Sequence, residues 1–241
     1  MRKTCVCGLL ALAAGTVAMG GYLLVVLPWQ HRWGATDEEV LRALPGDNLV
    51  PHPDIQWTRA ITVKAKATAL WPWLLQIGHG RGGYYSYPWL ETLMGQRVKL
   101  ADQIIPAWQH LQVGDIIPAE PGGKGYRVMR IEPHQTLVLG VQEQDKDIPW
   151  SFTFLYQAFT WAFVLEQVDS ESTRLIMRMR ARMKHNPLIS LAYLFIDFGA
   201  FFMKRRMLLG LKQRAEQLAL QAKTNTGEDS DKKAQIQKAV R

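Results

Sequence analysis

The chain has 241 residues and a formal net charge of +8. Once an apolar N-terminal segment is set aside, about 200 residues remain, a length that suits one domain and needs no disulfide or metal to bury a core. Residues 178–241 carry 14 Lys or Arg against five Asp or Glu, whereas residues 1–177 are nearly balanced. On a chain with an apolar segment, this basic quarter favours anionic lipid over nucleic acid as a partner. A solvated basic face is the alternative.

The apolar segment runs from Cys5 to Leu27 and contains no charged residue. As a helix it would be about 34 Å long, and the hydrocarbon core of a bilayer is about 30 Å thick. We predict that residues 1–30 are an uncleaved anchor of a single-pass protein in a bacterial inner membrane. Arg2 and Lys3 favour an inside N-terminus. A cleaved signal peptide is the alternative, although no small-x-small site ends the segment.

Residues 31–56 are predicted to be an irregular lead-in, because prolines and glycines interrupt any long element. Thr36 is placed to cap a short helix that ends near Ala43. Glu39 follows three residues later, which completes the sequence signature of a capping box.

Alternating residues predict a first strand at Trp57–Lys64, and two short helices follow at 68–77 and 86–94. Further strands are predicted at 113–119, 125–132, 136–142, 150–156, 159–168 and 172–183.

A long helix is predicted from Pro187 to Leu220, followed by a polar, disordered tail at 222–241. The first half of this helix is apolar almost all round, so a second membrane span is an alternative. Its length of about 16 residues and the charge of Asp197 argue against a span and favour a core helix.

This order of elements resembles the helix-grip fold of the START/polyketide-cyclase-like superfamily, also written SRPBCC. Residues 58–78 (TRAITVKAKATALWPWLLQIG) resemble the opening strand and first helix of these proteins. Three further stretches resemble an uncharacterised bacterial branch with an N-terminal membrane helix: 80–95 (GRGGYYSYPWLETLMG), 102–115 (DQIIPAWQHLQVGD) and 203–216 (MKRRMLLGLKQRAE). The resemblance covers about residues 33–218.

The resemblance implies an α+β fold over residues 57–221, with a curved antiparallel sheet around the C-terminal helix. It also implies a cavity between sheet and helix for a lipid- or polyketide-like ligand. The function expected is therefore a membrane-tethered binding or transfer module for a hydrophobic small molecule. A cyclase- or hydratase-like enzyme and a ligand-free docking scaffold are the alternatives, because a fold does not decide among them.

The loop Gly78–Gly83 satisfies the spacing Gly-x-Gly-x-x-Gly. A dinucleotide site would need a strand before the loop and a parallel βαβ unit around it, and neither is predicted. The loop is better interpreted as a hinge near the cavity mouth. His79 and Arg81 are then candidates for a gate or for contacts with a polar head group, although such residues are commonly just solvated.

Aromatic residues around this loop and along the strands are candidates for the cavity wall, since flat amphipathic rings suit such a surface. The candidates are Trp71, Tyr84, Tyr85, Tyr87, Trp89, Trp108, Trp150 and Trp161. Ordinary core packing is the alternative for each ring taken singly.

Basic candidates for a membrane surface are Arg178, Arg180, Arg182, Lys204, Arg205 and Arg206. The histidines show no metal-ligand spacing, and no catalytic constellation is identifiable. We therefore predict no metal, no cofactor and no nucleic-acid partner, and the sequence names no protein partner.

Overall fold

The computed structural model describes residues 13–93, 100–142, 145, 147–184 and 186–239. Its helices are α1 (Ala13–His31, with a π-helical stretch at Tyr22–Val26), α2 (Asp37–Leu41), α3 (Ala67–Leu75), α4 (Pro88–Leu93), α5 (Trp150–Leu155) and α6 (Pro187–Ala239). Its strands are β1 (Ile55–Val63), β2 (Ile116–Pro118), β3 (Gly125–Glu132), β4 (Thr136–Gln142), β5 (Tyr156–Asp169) and β6 (Ser172–Met183). Short 3-10 turns lie at Asp47–Leu49 and Pro106–Trp108.

The six strands form one curved antiparallel sheet in the order β1-β6-β5-β4-β3-β2. The long strands β5 and β6 pair at its centre, where Trp161 lies opposite Met179. The first strand pairs with the last, so the sheet brings the two ends of the domain together. The predicted α+β class is confirmed, and the sheet with its long C-terminal helix is consistent with the helix-grip arrangement.

The core lies between the inner face of the sheet and α6. Met207, Leu208 and Leu211 of α6 are buried in one cluster with the rings of Trp57 and Trp161. Alternation explains the strand contribution, because every second residue of a strand points to the same face. Residues such as Met177 and Met179 therefore face inward together.

The outer face of the sheet is covered by the lead-in segment, which β6 holds with arginines. Arg178 is almost completely buried, and it donates hydrogen bonds to the carboxylate of Asp47 (2.7 Å) and to the backbone oxygen of Arg42 (2.8 Å). Arg180 lies 3.2 Å from the same carboxylate. These two arginines therefore face the lead-in and not a lipid surface, because Asp47 and lead-in backbone oxygens are their partners.

The helix α2 shows the predicted capping box. The Glu39 backbone donates to the Thr36 hydroxyl (3.2 Å), and the Thr36 backbone donates to the Glu39 carboxylate (2.7 Å). Arg174 donates to both Glu39 oxygens at 2.7 and 2.8 Å. One carboxylate thus caps the helix and fastens it to β6.

Two segments differ from the sequence prediction. Residues 150–156, predicted as a strand, form α5 and the first residue of β5; α5 begins after Pro149, and the ring of Phe152 packs 4.8 Å from that of Phe159. The helix α6 continues to Ala239, whereas the sequence predicts a disordered tail at 222–241. Its last stretch is rich in Ala, Lys and Gln, which favour helices.

We predict that Glu39→Gln destabilises the protein by about 2 kcal/mol at pH 7, since hydrogen bonds to a charged group are lost. Burial raises the pKa of Glu39, but the hydrogen bonds from Arg174 and Thr36 outweigh this effect and hold the pKa below its ordinary value of 4.5. A lowered folded-state pKa stabilises the fold above the unfolded-state pKa, and this contribution disappears as the pH falls through the folded-state value. Urea unfolding at pH 7 and pH 4 should show the variant losing less stability on acidification than the wild type. An acid dependence equal to that of the exposed control Glu38→Gln would contradict the prediction.

Candidate functional site

The glycine-rich loop after α3 is fixed to the edge of the sheet. Gly78 and Gly83 bond to each other through their backbones, and the backbone N–H of His79 donates to the Pro118 oxygen of β2 (2.8 Å). A Cβ on Gly78 would lie 2.7 Å from the side chain of Ile117. The φ of Gly78 is +130°, a conformation that favours glycine. The loop follows a helix and adjoins an antiparallel sheet, so a dinucleotide site lacks its required context.

Arg81 in this loop organises two open pockets. Its Nη2 donates to the backbone oxygens of Leu75 (2.7 Å) and Trp108 (3.1 Å). Burial lowers the pKa of Arg81, and the charge of Asp115 opposes that shift. The guanidinium Nε is buried and has no hydrogen-bond partner among the described residues. Arg81 thus brings a partly unsatisfied cation to the pocket walls.

The larger pocket has a volume of about 410 Å³, within the usual range for small-molecule sites. Its lining residues are Gly80, Arg81, Leu100, Ala101, Asp102, Gln103, Ile105 and Trp108. A smaller pocket of about 170 Å³ lies beside it and shares Arg81 and Trp108. The walls combine apolar side chains with an arginine and an aspartate, which is an amphipathic lining. His79, the other predicted gate residue, lines neither pocket.

The structure distributes the predicted cavity aromatics over different environments. Trp108 lines both pockets. Trp161 is buried on the inner face of the sheet, where its ring contacts those of Tyr126 (5.7 Å) and Phe163 (4.9 Å). Trp71 is buried beside the ring of His134. Trp71 and Trp161 belong to one buried core cluster, whereas Trp108 lines the open pockets.

The tyrosines after the loop have structural hydrogen bonds. The hydroxyl of Tyr84 donates to the Pro118 oxygen (3.1 Å), and that of Tyr85 donates to the Trp73 oxygen (3.1 Å). Tyr87 is half-buried and contacts Trp89, whose side chain is 66% exposed. Trp89 therefore lies on the surface and not in a cavity wall. The side chain of Trp150 lies outside the described residues.

The C-terminal part of α1 contacts the first half of α6 through a few side chains. The ring of Tyr22 contacts that of Phe198 (5.9 Å), and the ring of Trp29 contacts that of Phe201 (5.3 Å). Around these contacts both helices expose large apolar side chains, a surface that we call the apolar face. It comprises Val17, Leu24 and Val25 of α1 and Leu188, Phe195, Phe198 and Phe202 of α6. Exposed apolar patches of this kind mark contacts with membranes or other proteins.

A buried polar cluster lies beneath the apolar face. The carboxylate of Asp197 on α6 is 1% exposed; it lies 2.8 Å from Nε2 of His31 and accepts a hydrogen bond from the Tyr193 hydroxyl (3.2 Å). These contacts explain why an aspartate is tolerated in an apolar helix, because a histidine from α1 and a tyrosine one turn earlier both face its carboxylate. The contact also fixes the end of α1 against the domain.

Arg59 on β1 belongs to the same cluster and is completely buried. Its Nε donates to the backbone oxygen of Gln30 at the end of α1 (2.8 Å), and its guanidinium lies 4.2 Å from the centre of the Trp57 ring. Burial lowers the pKa of Arg59 to about 10, while Asp197 opposes that shift. The side chain therefore remains charged at neutral pH.

Sequence reasoning missed Arg59, although a signal was present. In the strand IQWTRAITV, alternation puts Arg59 on the same face as Trp57 and Val63, which are apolar and buried. A charged residue in the apolar register of a strand is rare without a specific partner. That register could have marked Arg59 as a candidate.

Of the predicted basic residues on α6, Lys204 turns inward and Arg206 is exposed. The Nζ of Lys204 lies 4.7 Å from the centre of the buried Trp57 ring. The guanidinium of Arg205 lies 5.0 Å from the Trp33 ring. Arg182 on β6 is half-buried. Within the described ranges, no group of three or more His, Cys, Asp or Glu side chains is placed to hold a metal ion.

By length and composition, two helices of the described chain are suited to crossing a membrane: Ala13–His31 and Pro187–Asn225. Signal sequences and the core helices of soluble proteins meet the same criteria, so both spans are weak candidates.

No family model matches this chain, and no curated protein matches it either. Among solved structures, it is similar to norcoclaurine synthase from Thalictrum flavum, at 12% identity over 75% of this chain and 94% of that chain, with a TM-score of 0.40. It is also similar to a hypothetical protein from Helicobacter pylori, at 13% identity over 72% and 95% with a TM-score of 0.41. The Aha1 dimer from Colwellia psychrerythraea matches at 19% identity over 67% and 96% with a TM-score of 0.37. These values assign neither a family nor a ligand to this chain.

We predict that Asp197→Asn lowers the free energy of unfolding by about 3 kcal/mol, because it removes the negative charge that faces His31 and compensates Arg59. Denaturant titration of the full chain in detergent micelles, followed by tryptophan fluorescence, measures the change. The exposed Asp102→Asn variant is the matched control. Equal midpoints for the two variants would show that the buried carboxylate contributes nothing to stability.

Proposed function

We propose that this protein is a membrane-attached module that binds or transfers a hydrophobic small molecule of lipid or polyketide type. One observation carries the proposal: α6 joins an exposed apolar face to the wall of an open amphipathic pocket. Its first half contributes Phe195 and Phe202 to the apolar face. Further along, Nε of Arg214 donates to the backbone oxygen of Ala101, which lines the larger pocket (2.9 Å).

The apolar face supports membrane attachment. Leu24 of α1 is 80% exposed and Leu188 of α6 is 76% exposed, so large side chains of both helices would face water without a covering. A lipid bilayer removes such surface from water, at about 25 cal/mol for each Å². In this proposal α1 is the tether that the apolar sequence from Cys5 to Leu27 predicts. The first half of α6 lies beside it at the membrane surface.

The pocket supports ligand binding. Trp108 supplies a flat ring, Leu100 and Ile105 supply apolar wall, and Arg81 supplies a cation for a polar end of the ligand. From Phe202 to Arg214 the helix rises by about 18 Å. The pocket wall and the membrane-facing half of α6 are therefore held at a fixed spacing by one helix, which suits a ligand drawn from the bilayer.

The test identifies the lipid-soluble molecules that copurify with the full chain. The protein is extracted from membranes in polymer-bounded discs, and bound molecules are identified by solvent extraction and mass spectrometry. We expect the wild type to retain an apolar small molecule in amounts approaching one per protein, beyond the bulk lipid of the disc. Trp108→Ala should reduce this retention about tenfold, because losing the aromatic wall of the pocket weakens binding by roughly 1–3 kcal/mol.

Trp89→Ala is the matched control, because it removes the same side chain from an exposed position away from the pocket. Its retention should equal that of the wild type. If the wild type carries no molecule beyond the bulk lipid, or if both tryptophan variants lose it equally, the pocket is not the binding site. If the full chain appears in the soluble fraction without detergent, membrane attachment is wrong.

A further inference from the structure

The buried polar cluster contains one cation with incomplete hydrogen-bond partners, Arg59, and the basic side chain of Lys204 lies beside it. The Nη1 and Nη2 atoms of Arg59 are buried and have no hydrogen-bond partner among the described residues, although Nε is satisfied by Gln30. A buried guanidinium with two unused nitrogens is costly unless something accepts from it. Lys204 is a neighbour of Arg59, because the two side chains lie 4.7 and 4.2 Å from the centre of the same Trp57 ring. We call Arg59 and Lys204 the cation pair.

The charge balance of this cluster is positive. Within the described part of the chain, the acidic group that acts on both members of the cation pair is Asp197. Its two oxygens are already engaged, one with His31 and one with Tyr193. One carboxylate faces two basic side chains and a histidine, so the cluster lacks a counter-charge.

Aromatic contacts account for only part of the stabilisation of Arg59. Its guanidinium lies between the rings of Trp57 (4.2 Å) and Phe201 (5.1 Å), and cation–π contacts of this kind favour the charge. A ring face supplies no oxygen acceptor for the N–H groups of Nη1 and Nη2. Both nitrogens are buried, so a ligand does not reach them directly, whereas the neighbouring Lys204 is only half-buried.

The cation pair lies directly under the apolar face. The ring of Phe201 contacts both Arg59 and Phe202, and Phe202 is exposed on that face. The ring of Trp29, more than half exposed, also contacts Phe201. A molecule with an acidic head and apolar chains would meet cations and apolar surface at adjoining positions here.

We infer that the cation pair attracts the phosphate of an anionic membrane lipid, which contacts Lys204 and compensates the buried charge of Arg59, while its acyl chains lie along the apolar face of α1 and the first half of α6. This inference rests on the proposed membrane attachment. It concerns a second site, distinct from the pocket beside Trp108. The lipid supplies the missing counter-charge and fixes α1 and α6 on the bilayer surface, so it acts as a structural ligand and not as cargo.

The test uses the full chain in nanodiscs that contain equal amounts of phosphatidylglycerol and phosphatidylcholine. Native mass spectrometry after gradual removal of lipid counts the last molecules retained. We expect the wild type to retain phosphatidylglycerol preferentially, and Lys204→Gln to reduce that preference about tenfold, because the charged contact with the phosphate is lost. Arg59→Gln should reduce it by a smaller factor, because its buried charge acts on the phosphate without contact. Arg130→Gln is the matched control on an exposed part of β3 and should leave the preference unchanged.

Three outcomes would overturn the inference. One is a wild type without preference between the two lipids, and another is an unchanged preference in both Arg59→Gln and Lys204→Gln. The third is that inorganic phosphate raises the melting temperature in phosphatidylcholine discs as much as phosphatidylglycerol does, which would assign the cation pair to a free anion. If Arg59→Gln does not fold, the Lys204 variant still decides the test, since Lys204 is only half-buried.

Failure of this inference is distinguishable from failure of the proposed function. Trp108→Ala should lose the copurified small molecule and keep the phosphatidylglycerol preference. A wild type that resides in membranes and holds a small molecule, but retains both lipids equally, overturns the lipid site alone. A full chain that does not associate with membranes overturns both.

Discussion

The charge of one buried carboxylate links three segments that are far apart in the sequence. Asp197 on α6 contacts His31 of α1, and its negative charge acts on Arg59 of β1. A carboxylate that is 1% exposed is stable only with hydrogen bonds and opposite charge around it. Because these partners come from α1 and β1, the base of α1 is part of the domain. The apolar face beside it follows from this attachment.

The sheet is covered on both sides, by different kinds of interaction. Its inner face packs apolar residues such as Met177 and Trp161 toward α6. Its outer face carries buried or half-buried arginines, and the lead-in segment neutralises them with Glu39 and Asp47. Removing an acidic partner would leave a buried cation unpaired, which is more costly than losing an exposed ion pair. The lead-in is therefore a structural layer of the domain and not a passive linker.

The two proposed sites use the same chemistry in different places on α6. The pocket combines Trp108 with Arg81, and the region under the apolar face combines Phe201 with Arg59. Each places an arginine next to apolar surface, which suits a molecule with an apolar body and a polar head. A single long helix connects them, so the apolar face and the pocket share one rigid element.

The sequence by itself determined the structural features that depend on residues close together in the chain. Apolar length predicted the helix at the N-terminus, spacing predicted the capping box of Thr36 and Glu39, and alternation predicted most strands. Only the tertiary structure decided which charged residues lie on each covered face of the sheet and what they pair with. Arg178 meets Asp47 across 131 positions of the chain, and His31 meets Asp197 across 166. Alternation shows which residues share a face, but it does not show what packs against that face, so the burial of Arg59 and the exposure of Trp89 emerged only from the assembled fold.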